Sequence, residues 1–147
     1  MNERSFRLRL SCRYEQPDNS VADLKVEVLS DGRWEILDLD VRTPGFLMLV
    51  YTLLTCQHQY LRTNCAEKGL QLESSNGSID LIASEDWYVR KQHIRFDLRL
   101  KAGAPTKELM DYIVGRMEHC PVSINLKPAP DSRTEIFVDQ AAPDAGS

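Results

Sequence analysis

The residues able to do chemistry in this sequence are thiols. The chain carries four cysteines, at 12, 56, 65 and 120, and a cysteine acts as nucleophile or metal ligand through its thiolate. No two stand at C-x-x-C spacing, so neither a zinc ribbon nor a thioredoxin-type motif is supported. Cys56 lies in "LLTCQHQYLR" and Cys120 in "RMEHCPVSINL". Both fall on the apolar side of segments with helical spacing, and helices packed on one sheet would let the two thiols meet. Cys12 sits on the apolar face of an alternating run and reads as a buried core thiol. Cys65 follows Cys56 at a spacing that the 3.6-residue period turns well away, so it reads as incidental. His58 and His119 flank the two central cysteines, and the four residues have the ligand types of a tetrahedral zinc site. Residues two apart on a helix do not face each other, however, so Cys56 and His58 are poorly placed to ligate together. No metal is expected.

The elements that must position these residues are legible from periodicity and turn chemistry. "SFRLRLSCRY" alternates, with Phe6, Leu8, Leu10 and Cys12 on one side and Arg7, Arg9, Ser11 and Arg13 on the other, which predicts a half-buried strand. "ADLKVEVLS" repeats the pattern, Ser30-Asp31-Gly32 supplies a turn, and "RWEILDLDV" predicts a third strand. Thr43 suits an N-cap and Pro44 the first helical position. From there an apolar run leads to Gly69, a C′ glycine with Leu70 as its hydrophobic partner. The first half of this helix is apolar nearly all round, which predicts a buried central helix. "LQLESS" and "SIDLIAS" predict two strands joined at Asn76-Gly77, a hairpin signal. "QHIRFDLRLK" places Ile94, Phe96, Leu98 and Leu100 on one face of a further strand, and His93 on the solvated one. Thr106 caps a second helix whose apolar positions are Leu109, Ile113, Met117 and Cys120, and Pro121 stops it. "TEIFVD" predicts a last strand. Residues 1–138 thus read as a single α+β domain, with antiparallel sheets packed around a long buried central helix and a shorter second one, and 139–147 as a frayed tail.

Composition bounds the function. With 147 residues, 42% hydrophobic and 27% charged, the chain is of ordinary globular type. Eighteen basic and 22 acidic residues leave a net charge of −4, so there is no basic field to gather nucleic acid or anionic lipid. "MNERSFRLRL" has no apolar h-region, and "FLMLVYTLL" is too short to span a bilayer. A cytoplasmic protein with reduced cysteines is expected.

Three segments together resemble the OsmC/Ohr proteins, the osmotically induced and organic hydroperoxide resistance proteins. "TPGFLMLVYTLLTC" is similar to the family's Pro-led helix ending in a cysteine. "CAEKGLQLE" is similar to its helix end and following strand, and "EHCPVSINL" to its Cys-Pro-Val-Ser segment. The resemblance runs from about Thr43 to Val138. It implies an OsmC-like fold in an intertwined homodimer with sites at the subunit interface, and thiol-based reduction of organic hydroperoxides without metal, flavin or other cofactor. By motif, Cys56 would be the peroxidatic thiol, oxidised to a sulfenic acid, and Cys120 the resolving thiol that closes a disulfide on it. A dithiol, such as a lipoylated protein, would return both to thiols.

A thiolate so far into a helix gains nothing from the N-terminal dipole, so a cation must come from elsewhere; in the family it is an arginine steadied by an acid. Arg42, Arg33 and Arg13 are the candidates here. The family's acid is replaced by Phe46, and no Asp or Glu occurs between Asp40 and Glu67. Phe46, Leu49 and Leu53 offer apolar walls, favouring apolar organic peroxides over hydrogen peroxide. The alternative implied by the missing acid is a non-catalytic dimer of the same fold, binding a small apolar ligand or sensing redox state through its thiols.

Overall fold

A computed structural model describes residues 2–126 and 131–139. The expected frayed tail beyond residue 139 lies outside the described residues. Strands β1 (Arg4–Glu15), β2 (Ser20–Ser30) and β3 (Arg33–Ile36) precede helix α1 (Gly45–Glu67). Strands β4 (Gln71–Ala83) and β5 (Val89–Ala102), helices α2 (Lys107–Glu118) and α3 (Pro121–Ile124), and strand β6 (Asp131–Asp139) follow. The strands form one six-stranded sheet in the order β3-β2-β1-β4-β5-β6, antiparallel throughout except for the parallel β5–β6 pair. The α+β class therefore holds, while the separate antiparallel sheets expected from sequence are replaced by a single mixed sheet.

Alternation divides the sheet into two faces. Leu8, Leu10, Leu72, Ile79, Leu81, Ile94, Phe96 and Leu98 point inward and meet Val50, Leu53, Leu54 and Leu61 of α1 and Ile113 and Met117 of α2. The outer face is charged, with Arg7 on Asp80 at 2.6 Å, Arg9 on Glu27 at 2.8 Å and Arg95 on Asp97 at 3.0 Å. These pairs are largely exposed and add little stability each. Burial of the inward side chains is the main favourable term.

The predicted hairpin at Asn76-Gly77 is instead the middle of the unbroken β4, where Gly77 pairs with Leu10 on one side and Phe96 on the other. The glycine serves a packing need. A Cβ there would lie 2.7 Å from Cδ1 of the Phe96 ring, so only glycine lets the ring cross the strand.

The third strand ends at Ile36, short of the expected Val41. Thr43 does not cap α1, because its hydroxyl accepts from the Asp40 amide and Pro44 takes the N-cap position. The other end of α1 follows expectation: Gly69 has φ of +79°, its amide donates to Ala66 and that of Leu70 to Cys65, a Schellman closure with Leu70 buried. Asn19, fully buried at φ +58°, fastens the β1–β2 turn to this region. Its amide nitrogen donates to the Leu70 and Arg62 carbonyls, and its oxygen accepts from the Leu72 amide.

Within one chain only a stripe of α1 is buried in its first half. Val50, Leu53 and Leu54 are covered, Phe46, Leu47, Leu49 and Tyr51 are half-buried, and Met48 is 39% exposed.

Candidate active site

The backbone ending of α2 places Cys120. His119 is the C-cap and donates from Nδ1 to the Gly115 carbonyl at 2.9 Å, after which the chain turns and Cys120 becomes the N-cap of α3 with Pro121 in its first turn. Pro121 thus both stops α2 and starts α3. The Cys120 sulfur takes the capping position usually held by a hydroxyl or carboxylate, accepting from the Ser123 amide at 3.4 Å. The residue is fully buried.

Cys56 comes from the middle of α1, half-buried, where α1 packs against α3. Its thiol lies beside the Cys120 thiol and close to the Val122 amide. Both thiols are free. The two cysteines that the sequence segments single out therefore lie next to each other within one chain. Burial pushes the Cys56 thiol above its ordinary range, the Val122 amide opposes this, and the neighbouring Cys120 adds to the rise. No cationic side chain among the described residues of the chain counters these effects.

The three arginines expected as activators lie apart from Cys56. Arg13 is on the outer face of β1, pairing with Asp23 at 3.7 Å and lining a cleft of about 650 Å³ with Glu73, Asp97 and Arg99. Arg33 is exposed at the start of β3, and Arg42 is exposed in the turn before α1, its amide donating to Asp40 Oδ1 at 2.7 Å. Phe46, where the family resemblance implied an acid, packs against Phe6 and Trp87 with ring centroids 5.0 and 5.1 Å apart, and the Arg4 guanidinium lies 3.9 Å over Trp87. Leu53 is fully buried in the core, while Leu49 and Phe46 remain accessible as walls.

The other titratable groups have structural surroundings. His58 is 3% exposed, stacked on Phe96, with Nε2 2.7 Å from the Tyr14 hydroxyl, which in turn lies 2.6 Å from Ser75 Oγ. Burial, with a smaller contribution from Arg62, pushes the His58 imidazole down to about 4. Cys65 lies in the core, where burial pushes its thiol up to about 12. Cys12 is buried at 3% exposure, as expected. His93 pairs with Asp131 at 2.9 Å on the outer face. Among the described residues no group of three His, Cys, Asp or Glu is placed to hold a metal ion, and no helix is long and apolar enough to cross a membrane.

Two residues at the site escaped the sequence reading. Gln57, next to Cys56 and 1% exposed, donates from Nε2 to Ser123 Oγ at 3.2 Å, while its Oε1 accepts from Thr134 Oγ1 of β6 at 3.1 Å. Ser123 Oγ in turn accepts from the Cys120 thiol at 3.1 Å. Ser123 was visible in the Cys-Pro-Val-Ser segment. The only signal for Gln57 was its place on the apolar side of α1 next to a cysteine.

The sequence matches no protein-family model and no curated protein. In three dimensions it is similar to solved structures. The crystal structure of an OsmC-like protein from Mycoplasma pneumoniae matches with a TM-score of 0.51 at 12% identity, over 80% of this chain and 89% of that one. That of an OsmC-like hydroperoxide resistance protein from Jannaschia matches with a TM-score of 0.53 at 13% identity, over 85% and 89%. The chain has the OsmC-like fold, as the resemblance implied.

Proposed function

We propose that this OsmC-like chain is a thiol peroxidase that reduces organic hydroperoxides through Cys56 and Cys120. The observation that carries the reading is that these two thiols are neighbours across α1 and α3, one half-buried and one fully buried. In the first step the Cys56 thiolate attacks the terminal peroxide oxygen and the O–O bond breaks. Cys56 becomes a sulfenic acid and the substrate leaves as an alcohol. The Cys120 sulfur then bonds to Cys56 as the S–O bond breaks, releasing water. A dithiol, such as the lipoyl group of a lipoylated protein, reduces the disulfide by exchange. The apolar walls at Phe46 and Leu49 favour apolar hydroperoxides over hydrogen peroxide.

The half-covered apolar side of α1 suits a second copy of the chain, and a homodimer could bring to Cys56 the cation that the described residues of one chain do not supply. Arg13, Arg33 and Arg42 are the candidates for that role in the assembled dimer. A reducing cytoplasm would hold both thiols ready at rest.

A second reading has its own support: Phe46 sits in an aromatic cluster instead of presenting a carboxylate, and burial raises the Cys56 thiol. On that reading the dimer binds an apolar ligand or senses redox state without turnover. Substitution separates the two. With cumene hydroperoxide and a dithiol, Cys56→Ser abolishes turnover and Cys120→Ser gives one round, then stalls at a sulfenate that dimedone traps. Full turnover by the Cys56→Ser protein excludes Cys56 as the peroxidatic thiol.

A further inference from the structure

The residue beside Cys56 is bound to the surroundings of Cys120. Gln57 holds a fixed amide orientation because Thr134 of β6 donates to its oxygen at 3.1 Å, which turns its nitrogen to Ser123 Oγ at 3.2 Å. The amide nitrogen only donates. It therefore occupies the acceptor side of the Ser123 hydroxyl and leaves the hydroxyl hydrogen free to point elsewhere. In the reduced protein the Cys120 thiol donates to Ser123 Oγ at 3.1 Å, and the Ser123 amide donates to the sulfur at 3.4 Å. Once Cys120 gives up its proton, the Ser123 hydroxyl can turn its hydrogen to the sulfur, which then receives two donors from one residue. Gln57 is 1% exposed, so its amide is withdrawn from solvent and its hydrogen bonds act in a low local dielectric.

We infer that Gln57 is a positioning residue for the resolving thiol: through Ser123 it sets how fast Cys120 closes on Cys56. This rests on the reading that the two cysteines form a disulfide. In the closing step the Cys120 sulfur is oxidised and the Cys56 sulfenic sulfur reduced. The S–S bond forms as the S–O bond breaks, and the departing hydroxide takes the proton that Cys120 released and leaves as water. Hydrogen bonding to a thiolate favours its formation, and that is the step on which Ser123 and Gln57 act. Because Thr134 anchors the amide, β6 and α3 are coupled to the chemistry although neither bears the peroxidatic thiol.

The test compares two rates in the full-length protein across pH: dimedone-trappable sulfenate formation with cumene hydroperoxide, and disulfide closure by intact mass. Gln57→Glu keeps the size and the Thr134 bond but presents an acceptor to Ser123, drawing the hydroxyl hydrogen away from Cys120. The ratio of closure to sulfenate formation should fall at least tenfold, and closure should shift to higher pH. Ser123→Ala should lower the ratio as far, and Ser123→Thr, which keeps the hydroxyl, should restore it to within threefold of the native value. A ratio and pH profile unchanged in both Gln57→Glu and Ser123→Ala would overturn the positioning role while leaving the peroxidase intact. Diamide, which drives the same disulfide without peroxide, separates the opposite case. Closure with diamide that depends on Gln57 in the same way, in a protein inert to peroxide, would sustain the positioning role and remove the peroxidase.

Discussion

At the residue scale, environment decides which titratable groups are available for chemistry. Cys65 is pushed up to about 12 by burial in the core, so it stays a thiol and contributes packing alone. Cys56 is also raised by burial, an effect that the nearby Val122 amide opposes, and it borders a second thiol. His58, despite its place beside the site in sequence, points to Tyr14 and Phe96. Its imidazole is lowered from 6.5 to about 4, so the folded protein disfavours the charged form. The unfolded chain takes up the proton first as pH falls, and stability is lost between pH 6.5 and pH 4, with no further loss from this group below that window. A shift of this size corresponds to about 3 kcal/mol. Urea unfolding of the native protein and of His58→Gln should therefore give free energies that diverge by this amount between pH 7 and pH 4, the variant losing less. Parallel curves would mean that His58 is not held neutral by burial.

At the element scale, much of the fold was legible in the sequence and the exceptions have physical causes. Strands β1 and β5 announced themselves by alternation, and the inward faces are those expected. The Schellman closure at Gly69 and the Thr106 cap, whose hydroxyl accepts from the Leu109 amide at 3.2 Å, were readable because capping is local chemistry. The parallel direction of β6 was not, since a strand alternates in the same way whichever way it runs. Asn76-Gly77 misled because glycine serves turns and close packing alike, and only the ring of Phe96 across the sheet decides between them. Gly77→Ala should force that ring and its stacked partner His58 to shift, costing about 1–3 kcal/mol. Calorimetry should register a melting point several degrees lower, whereas Gly45→Ala, where a Cβ meets nothing within 4 Å, should leave it nearly unchanged. The hydrogen bonds among Gln57, Ser123 and Thr134 were hidden for a related reason: they join residues 66 and 77 positions apart, and no spacing rule links them.

At the scale of the whole molecule, one chain leaves its functional helix unfinished. Phe46, Leu47, Leu49 and Tyr51 are half-covered and Met48 is 39% exposed, with Ile36 and Leu39 also open. Exposed apolar side chains of this kind are the ground for the proposed homodimer. The protein is expected to run at twice the chain mass in light scattering at micromolar concentration. Met48→Asp, at an exposed position that leaves the core of the chain alone, should shift it to monomer by burying a charge without a partner. A native monomer at that concentration would contradict the dimer and leave Cys56 without a source of positive charge among the described residues. The proposed pairing of Cys56 with Cys120 does not require assembly, because both come from the same chain, and it is there that the account is most directly tested. Free thiols should be counted before and after one equivalent of cumene hydroperoxide, with peptide mapping of any disulfide. The account predicts rapid loss of two of the four thiols, mapped to Cys56 and Cys120. Four unchanged thiols would contradict it and point to a ligand-binding protein that has kept the cysteines without their reaction.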